Sequence, residues 1–142
     1  MELSSLFPNR IDVQGEPASW AGTLPGGGGV YVLADEQDRL ILLASGESLR
    51  RIITFRLAPP QEASKKRADL AAITRRIYWQ RTYSAFETNY LFHRTARTLM
   101  PDRYLKLCSF GACWFLTINP ADTIPRWAAT RQLSQKGLNF GP

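Results

Sequence analysis

The sequence is poor in the residues that build zinc sites, disulfide scaffolds and membrane spans. Its 142 residues include two cysteines and one histidine, too few to complete a four-ligand Cys/His zinc site. No stretch reaches the roughly 18 apolar residues that a membrane span needs, and no continuous apolar segment before Trp20 resembles a secretory signal. These shortages exclude zinc-finger, membrane and disulfide-rich secreted classes. They predict a cytoplasmic protein with Cys108 and Cys113 as buried thiols.

Charge is abundant but unevenly distributed along the chain. Residues 1–49 carry two basic and seven acidic side chains, a net charge of −5, whereas residues 50–110 carry thirteen and four, a net charge of +9. A basic segment with interleaved aromatic residues is typical of surfaces that contact phosphates, although a solvated helix face also explains a single basic run. The basic residues that we expect to contact nucleic acid are Arg50, Arg51, Arg56, Lys65, Lys66, Arg67, Arg75 and Arg76.

The first third of the chain predicts an irregular segment followed by a β-hairpin. Residues 1–24 contain prolines and glycines without a sustained hydrophobic period. Pro25 and the glycines at 26–29 interrupt regular structure. Val30–Ala34 and Leu40–Leu43 then read as two apolar strands, and the five polar residues between them suit an antiparallel hairpin.

The middle of the chain alternates between helical and strand patterns. Ser48 is a candidate N-cap for a short helix through Phe55, and Lys65–Arg76 spaces its alanines as a second helix does. Ile77–Thr82 is rich in branched and aromatic residues and predicts a third strand.

A longer helix and a β-rich tail complete the predicted order. Ser84 and Glu87 form a capping box, in which Ser84 accepts from the Glu87 amide and Glu87 from the Ser84 amide, and the helix should end near Leu99, before a proline. Further on, Trp114–Ile118 predicts a strand and Pro125–Leu133 another short element. The resulting order, β-β-α-α-β-α with a tail, indicates an α+β fold.

This order resembles the GIY-YIG nuclease superfamily, and within it the N-terminal nuclease domain of the UvrC family of nucleotide excision repair. Gly29-Val30-Tyr31 stands where the superfamily has Gly-Ile-Tyr or Gly-Val-Tyr, Leu40–Leu43 takes the place of its Tyr-Ile-Gly strand, and residues 82–87 match its Thr-x-Ser-x-x-Glu segment. Near the C-terminus, Pro125-Arg126 and the closing Asn-Phe-Gly-Pro resemble segments that follow this domain in UvrC.

The resemblance implies a three-stranded antiparallel sheet flanked by helices and a division of the chain into three parts. Residues 1–24 would be an irregular lead-in, residues 25–106 the GIY-YIG-like domain, and residues 107–142 a β-rich extension. It also implies hydrolysis of a phosphodiester with one Mg²⁺ or Mn²⁺ held by a helix glutamate, a tyrosine that helps deprotonate water, and an arginine that stabilises the phosphate.

Several positions that the superfamily uses for catalysis hold different residues here. Tyr31 keeps the first tyrosine, but the second falls on Leu42 and the helix arginine on Ile52, with Arg51 next to it. A gapless match places the metal-binding glutamate on Phe92, and phenylalanine cannot bind a hard cation. A rival alignment, with extra residues before the following proline, makes Glu87 the metal ligand.

Two further side-chain groups have both a structural and a functional reading. The single histidine, His93, reads as a surface or hydrogen-bonded helix residue, because no second metal ligand lies at helical spacing from it. Six aromatic residues between 78 and 92 either stack on bases or fill the core; core packing explains most of them and leaves one or two exposed. They are Tyr78, Trp79, Tyr83, Phe86, Tyr90 and Phe92.

Three functions remain open at this stage. The favoured one is a DNA-binding, UvrC-like domain of cytoplasmic DNA repair that has lost most or all hydrolysis and needs no cofactor. The second is an active, divergent, structure-specific endonuclease that uses Tyr31, Arg51 and Glu87 with Mg²⁺ or Mn²⁺. The third is a protein-interaction module on the same scaffold. The expected partners are DNA and nucleotide excision repair proteins, with no membrane.

Overall fold

The computed structural model describes residues 2–58, 69–108 and 113–141. The chain forms two compact units, Met1–Cys108 and Ser109–Pro142. Each unit contains an antiparallel sheet, and the helices of the described ranges lie in the first, so the α+β class is confirmed. Lys65, Lys66 and Arg67, three of the expected nucleic-acid contacts, lie outside the described residues. No helix in the described ranges is long and apolar enough to cross a membrane.

The described part of the first unit contains four strands and five short or medium helices. The strands are β1 (Asn9–Asp12), β2 (Gly29–Ala34), β3 (Leu40–Gly46) and β4 (Arg76–Arg81). The helices are α1 (Pro17–Trp20), α2 (Leu49–Leu57), α3 (Leu70–Ile73), α4 (Ala85–Leu99) and α5 (Tyr104–Leu107), and two 3₁₀ turns cover Leu3–Ser5 and Ala21–Thr23.

The sheet of the first unit has the strand order β1-β4-β2-β3, with every pair antiparallel. The predicted hairpin of β2 and β3 is confirmed, and β4 pairs with the other side of β2. The expectation of three strands and an irregular lead-in was incomplete, because Asn9–Asp12 adds a fourth strand along β4. Only Ile11 of this strand packs against the core, so four residues carry too little alternation to be recognised from the sequence.

The two faces of the sheet are covered by different helices. Val30 and Val32 of β2 pack with Leu91 and other residues of the α4-side core, whereas Tyr31 packs with Leu49 in the α2-side core. Successive side chains of a strand point to opposite faces, so the whole of β2 is buried although its residues belong to two separate cores. This is why the strand reads as a continuous apolar run rather than an alternating one.

The glycine run before β2 is needed for close packing at Gly29. A Cβ atom at this position would collide with the carbonyl oxygen of Gln80 and lie 2.8 Å from Cδ1 of Leu49. Neighbouring amides secure the same region: the Thr82 amide donates to the Gly28 carbonyl over 2.9 Å. The start of β2 is thereby held against both β4 and α2.

The second predicted helix is shorter than its sequence pattern indicates. Its described part, Leu70–Ile73, begins at Asp69, whose carboxylate accepts from the Ala72 amide. The backbone is already extended at Thr74, and β4 begins at Arg76. The prediction that helix continues to residue 76 was therefore wrong, because pairing with β1 and β2 extends these residues into the sheet.

Among residues 113–141, the second unit forms a three-stranded antiparallel sheet with the order β6-β5-β7. Its strands are β5 (Phe115–Ile118), β6 (Ala128–Thr130) and β7 (Leu138–Phe140). The first two lie within segments that the sequence predicted to be regular. Both cysteines of the chain are free; Cys108 is half-buried, but Cys113 is exposed, so the prediction of two buried thiols was wrong for Cys113. Burial raises the pKa of the Cys108 thiol.

Candidate nucleic-acid interface

Tyr31 occupies the centre of the first sheet. It pairs with Ala44 on β3 and with Trp79 on β4, and no part of its side chain is exposed. Its buried hydroxyl has no hydrogen-bond partner among the described residues. Burial raises the pKa of the Tyr31 phenol, and the nearby Arg56 guanidinium opposes this shift in part. A neutral, enclosed phenol is poorly suited to accept a proton from a water molecule.

Glu87 acts as a helix cap at the start of α4. The Ser84 hydroxyl accepts a hydrogen bond of 3.1 Å from the Glu87 amide, as the sequence predicts. The carboxylate accepts from the Tyr83 amide over 2.8 Å, one residue before the amide that the sequence indicated. The Glu87 carboxylate therefore satisfies backbone donors that the first turn of a helix leaves free.

The structure does not bring the sequence-predicted catalytic residues to one place. Tyr31 belongs to the α2-side core, whereas Glu87 lies on the helix that covers the opposite face of the sheet. Phe92, at the position that aligns with the metal ligand, packs against the α4-side core. In the described parts of the chain, no three or more His, Cys, Asp and Glu side chains are grouped as a metal site requires.

The position of the superfamily arginine is filled by a packing contact. Ile52 is half-buried on α2, and a Cβ atom at Gly46 of β3 would collide with its Cδ1. Arg51, one residue earlier, is exposed and has a different direction on the helix. Rotation of α2 by one residue would remove Ile52 from its place beside Gly46, so the helix register is fixed by packing.

Two surface depressions meet at Ser45, near the end of the edge strand β3. The α2 depression is lined by Ser45, Arg51, Ile52, Phe55 and Arg56. The α4 depression lies between the ends of β3 and β4 and the start of α4, and its lining includes Ser45, Glu47, Tyr83, Thr88 and Asn89. Together they place two arginines on one side of Ser45 and an exposed aromatic ring on the other.

Arg50 and Arg75 bond to the protein backbone. The Arg50 guanidinium donates to the carbonyls of Leu24 and Gly22 over 2.9 and 3.3 Å, and so holds the segment before β2. Arg75 donates to the carbonyl of Thr74 over 2.9 Å. Their charges remain, but part of their donor capacity serves the fold.

Arg76 lies in an ion-pair network at the opposite end of the hairpin from Ser45. Its guanidinium is 2.8 Å from Asp38 and 3.4 Å from Asp12, and Tyr78 donates a 2.8 Å hydrogen bond to Asp38. Partial burial raises the pKa of Asp38, but the bonds from Arg76 and Tyr78 outweigh it and lower that pKa overall. The sequence gives no motif for this network beyond the polar residues 35–39, which form a turn in which Asp38 has a φ of 59°.

Three of the six aromatic residues singled out from the sequence are exposed. Tyr78 and Trp79 are buried in the sheet and Phe92 is half-buried, whereas Tyr83, Phe86 and Tyr90 have exposed fractions of 80%, 80% and 59%. His93 is half-buried and contacts the ring of Tyr104 edge-on, with centroids 5.5 Å apart. The exposed set is thus larger than the one or two rings expected.

No protein-family model matches the chain, and a search of the curated proteins finds no match.

Proposed function

We propose that this chain is a DNA-binding domain of the GIY-YIG type, similar to the nuclease domain of the UvrC family, that no longer hydrolyses phosphodiester bonds. The observation that carries the proposal is the separation of Tyr31 from α4. Tyr31 faces α2, and the helix with Glu87 and Phe92 covers the other face of the sheet. A single metal-assisted site needs its carboxylate, its proton acceptor and the phosphate within a few ångströms of one another.

The residues themselves support the same conclusion. The Tyr31 hydroxyl is buried, and the Glu87 carboxylate already accepts from a backbone amide. Phe92 offers no oxygen to a cation, and Ile52 offers no charge to a phosphate. A neighbouring residue could replace any one of these four groups. Together, however, their loss leaves only one property that the resemblance implies, a general affinity for the DNA backbone.

The DNA contact is proposed for the arginine side of the surface. Arg51 and Arg56 line the α2 depression together with the exposed hydroxyl of Ser45. Guanidinium and hydroxyl groups are common donors to phosphate oxygens. Lys65, Lys66 and Arg67 lie outside the described residues, and their proposed contact with DNA rests on the sequence alone. Arg76 is a poorer candidate because Asp12 and Asp38 already neutralise its charge.

Salt-dependent binding to duplex DNA tests this proposal. The wild type should bind a labelled duplex with an affinity that falls as salt rises, and Arg51→Gln/Arg56→Gln should flatten the slope of log affinity against log salt by about one to two. Arg103→Gln/Lys106→Gln removes the same charge from exposed basic residues outside both depressions and is the matched control. The absence of DNA binding by the wild type, or equal slopes for the two variants, would refute the proposed contact.

A second candidate function, a protein-interaction module, is favoured by the second unit. Its residues Trp114, Trp127 and Phe140 are 50–60% exposed, and exposed apolar surface of this kind is typical of protein interfaces. Nucleotide excision repair proteins are the partners that the resemblance suggests. Binding of such a partner with no affinity for DNA would favour this function over the first.

A further inference from the structure

The outer surface of α4 carries two aromatic rings in a stacked arrangement. Phe86 and Tyr90 are four residues apart, one turn of helix, and their ring centroids are 6.4 Å apart with planes inclined by only 15°. Tyr83, just before the helix, exposes 80% of its surface. We call these three residues the α4 platform. Core packing does not account for it, since none of its side chains is buried.

Two arginines lie beside the residues of the α4 platform. The Arg81 guanidinium lies 4.9 Å from the centroid of the Tyr83 ring, and the exposed residue Arg94 follows Tyr90 by one further turn. The only acidic residue on α4 is Glu87, whose carboxylate accepts from the Tyr83 amide. The platform therefore presents flat apolar rings beside positive charge.

This combination fits one class of partner. Unpaired bases offer flat faces that stack on aromatic side chains, and the phosphates between them are attracted to neighbouring arginines. Base pairs within a duplex cover each other's faces, so they cannot stack on a protein ring in the same way. A negatively charged protein surface would match the arginines but not the parallel rings.

We infer that the α4 platform binds the unpaired bases of single-stranded DNA. This inference rests on the proposed function and adds its substrate class, a DNA end or junction with an unpaired strand. The α4 depression contains Tyr83 and reaches Ser45, where it meets the α2 depression with Arg51 and Arg56. The backbone of a strand that stacks on the platform can follow this course, so that adjoining duplex lies against the arginines.

Fluorescence anisotropy with three labelled probes tests the inference. The probes are an oligothymidylate of about 12 nucleotides, within the usual range of single-strand site sizes, an abasic strand of the same length, and a duplex. Phe86→Leu/Tyr90→Leu keeps apolar volume but removes both rings. We expect it to bind the oligothymidylate about 10-fold more weakly or worse, because ring stacking contributes that much per base. Its binding to the abasic strand and the duplex should stay unchanged.

Two control variants separate stacking from general effects. Phe86→Trp/Tyr90→Trp retains aromatic faces and should keep wild-type affinity for the oligothymidylate. Leu105→Ala alters an apolar side chain of α5 that is 72% exposed and should change no binding. Far-ultraviolet circular dichroism and thermal melting verify that the leucine variant folds, as expected for exposed positions.

The outcomes distinguish this inference from the proposed function. Equal affinity of the wild type for the oligothymidylate and the abasic strand would overturn the inference, and so would full binding by Phe86→Leu/Tyr90→Leu. An oligouridylate of the same length is added as an RNA probe; binding to it and not to the oligothymidylate would also overturn the inference, since the partner would then be RNA. The duplex measurement with Arg51→Gln/Arg56→Gln is independent of the rings. Unchanged duplex binding by this variant would contradict the proposed duplex contact and not the binding of unpaired bases.

Discussion

Ile52 occupies the space that the missing side chain of Gly46 leaves free. A methyl group at Gly46 would overlap Cδ1 of Ile52, so the two residues are complementary in size across the contact between β3 and α2. Position 52, where the superfamily resemblance places an arginine, thus holds an isoleucine that packs against Gly46 of β3. Packing at this point sets which residues of α2 reach the surface.

Gly46→Ala should lower the free energy of unfolding by about 1 kcal/mol or less, because the atom that its Cβ would meet is the flexible end of the Ile52 side chain, which can turn aside. Gly46→Ala/Ile52→Ala should be destabilised by less than the sum of its two single variants, because the shortened side chain at 52 relieves the overlap. Gly22→Ala is the control, since a Cβ atom there meets nothing within 4 Å. Urea unfolding of the four variants provides the free energies, and additive effects at 46 and 52 would contradict the contact.

Tyr31→Phe should change the free energy of unfolding at pH 7 by no more than about 1 kcal/mol, because the hydroxyl that it removes is buried with the Arg56 guanidinium nearby. At high pH the difference should grow. Burial raises the pKa of Tyr31, so its contribution is complete below about pH 10 and is lost as the pH rises above that value. Tyr83→Phe changes an exposed position and should lose stability at high pH to the same extent as the wild type. Thermal melting between about pH 8 and 11 measures both effects.

The ion-pair network around Asp38 should make stability sensitive to acid. The pKa of Asp38 is lowered, so its contribution is present above the ordinary carboxyl value of about 4 and is lost as the pH falls through the folded-state pKa. Asp38→Asn tolerates the positive φ and should flatten this part of the stability curve. Glu36→Gln, at an exposed position in the same turn, is the comparison. If Asp38→Asn lost as much stability as the wild type when the pH falls, Asp38 would not be the source of the acid sensitivity.

Glu87 should matter for stability and not for DNA cleavage. Glu87→Ala removes the cap and should destabilise the fold by about 0.5–2 kcal/mol, whereas Glu87→Gln keeps an acceptor and should lose only a few tenths of a kcal/mol.

Wild-type protein with Mn²⁺ should not nick supercoiled plasmid above background. Nicking that disappears in Glu87→Gln would instead support the active-endonuclease alternative and the rival alignment.

The basic segment at residues 65–67 should add to DNA affinity. Lys65→Gln/Lys66→Gln/Arg67→Gln should flatten the salt dependence of duplex binding by up to about three. Arg97→Gln/Arg103→Gln/Lys106→Gln removes the same number of charges from exposed positions elsewhere and should have a smaller effect. If the two triple variants have the same slope, residues 65–67 do not contact the duplex.

Much of the first unit could be predicted because its elements carry strong local signals. A few consecutive residues are enough to predict each of three features: the apolar strands β2 and β3, the turn between them, and the Ser84 cap. The extent of α3 could not be predicted, because strand pairing with β1 and β2 overrides the helical spacing near Arg76. Helix propensity is weak beside such tertiary contacts.

The candidate site was harder to predict than the fold. Which face of the sheet Tyr31 occupies depends on the packing of α2 and α4, and neither motif contains that information. The sequence also did not reveal that Arg76 is neutralised by Asp12 and Asp38, since these residues are far apart along the chain. The stacked pair of Phe86 and Tyr90, in contrast, follows from their four-residue spacing once α4 is placed.

The short strand β1 has a consequence for any shortened form of this protein. Asn9–Asp12 covers the outer edge of β4 and pairs with Trp79 and its neighbours. A chain that began at Pro25, where the sequence pattern sets the start of the domain, would leave the amide and carbonyl groups of β4 bare. A strand edge with unpaired backbone groups can pair with a strand of another molecule. Truncation at that point should therefore produce self-association rather than a minimal folded unit.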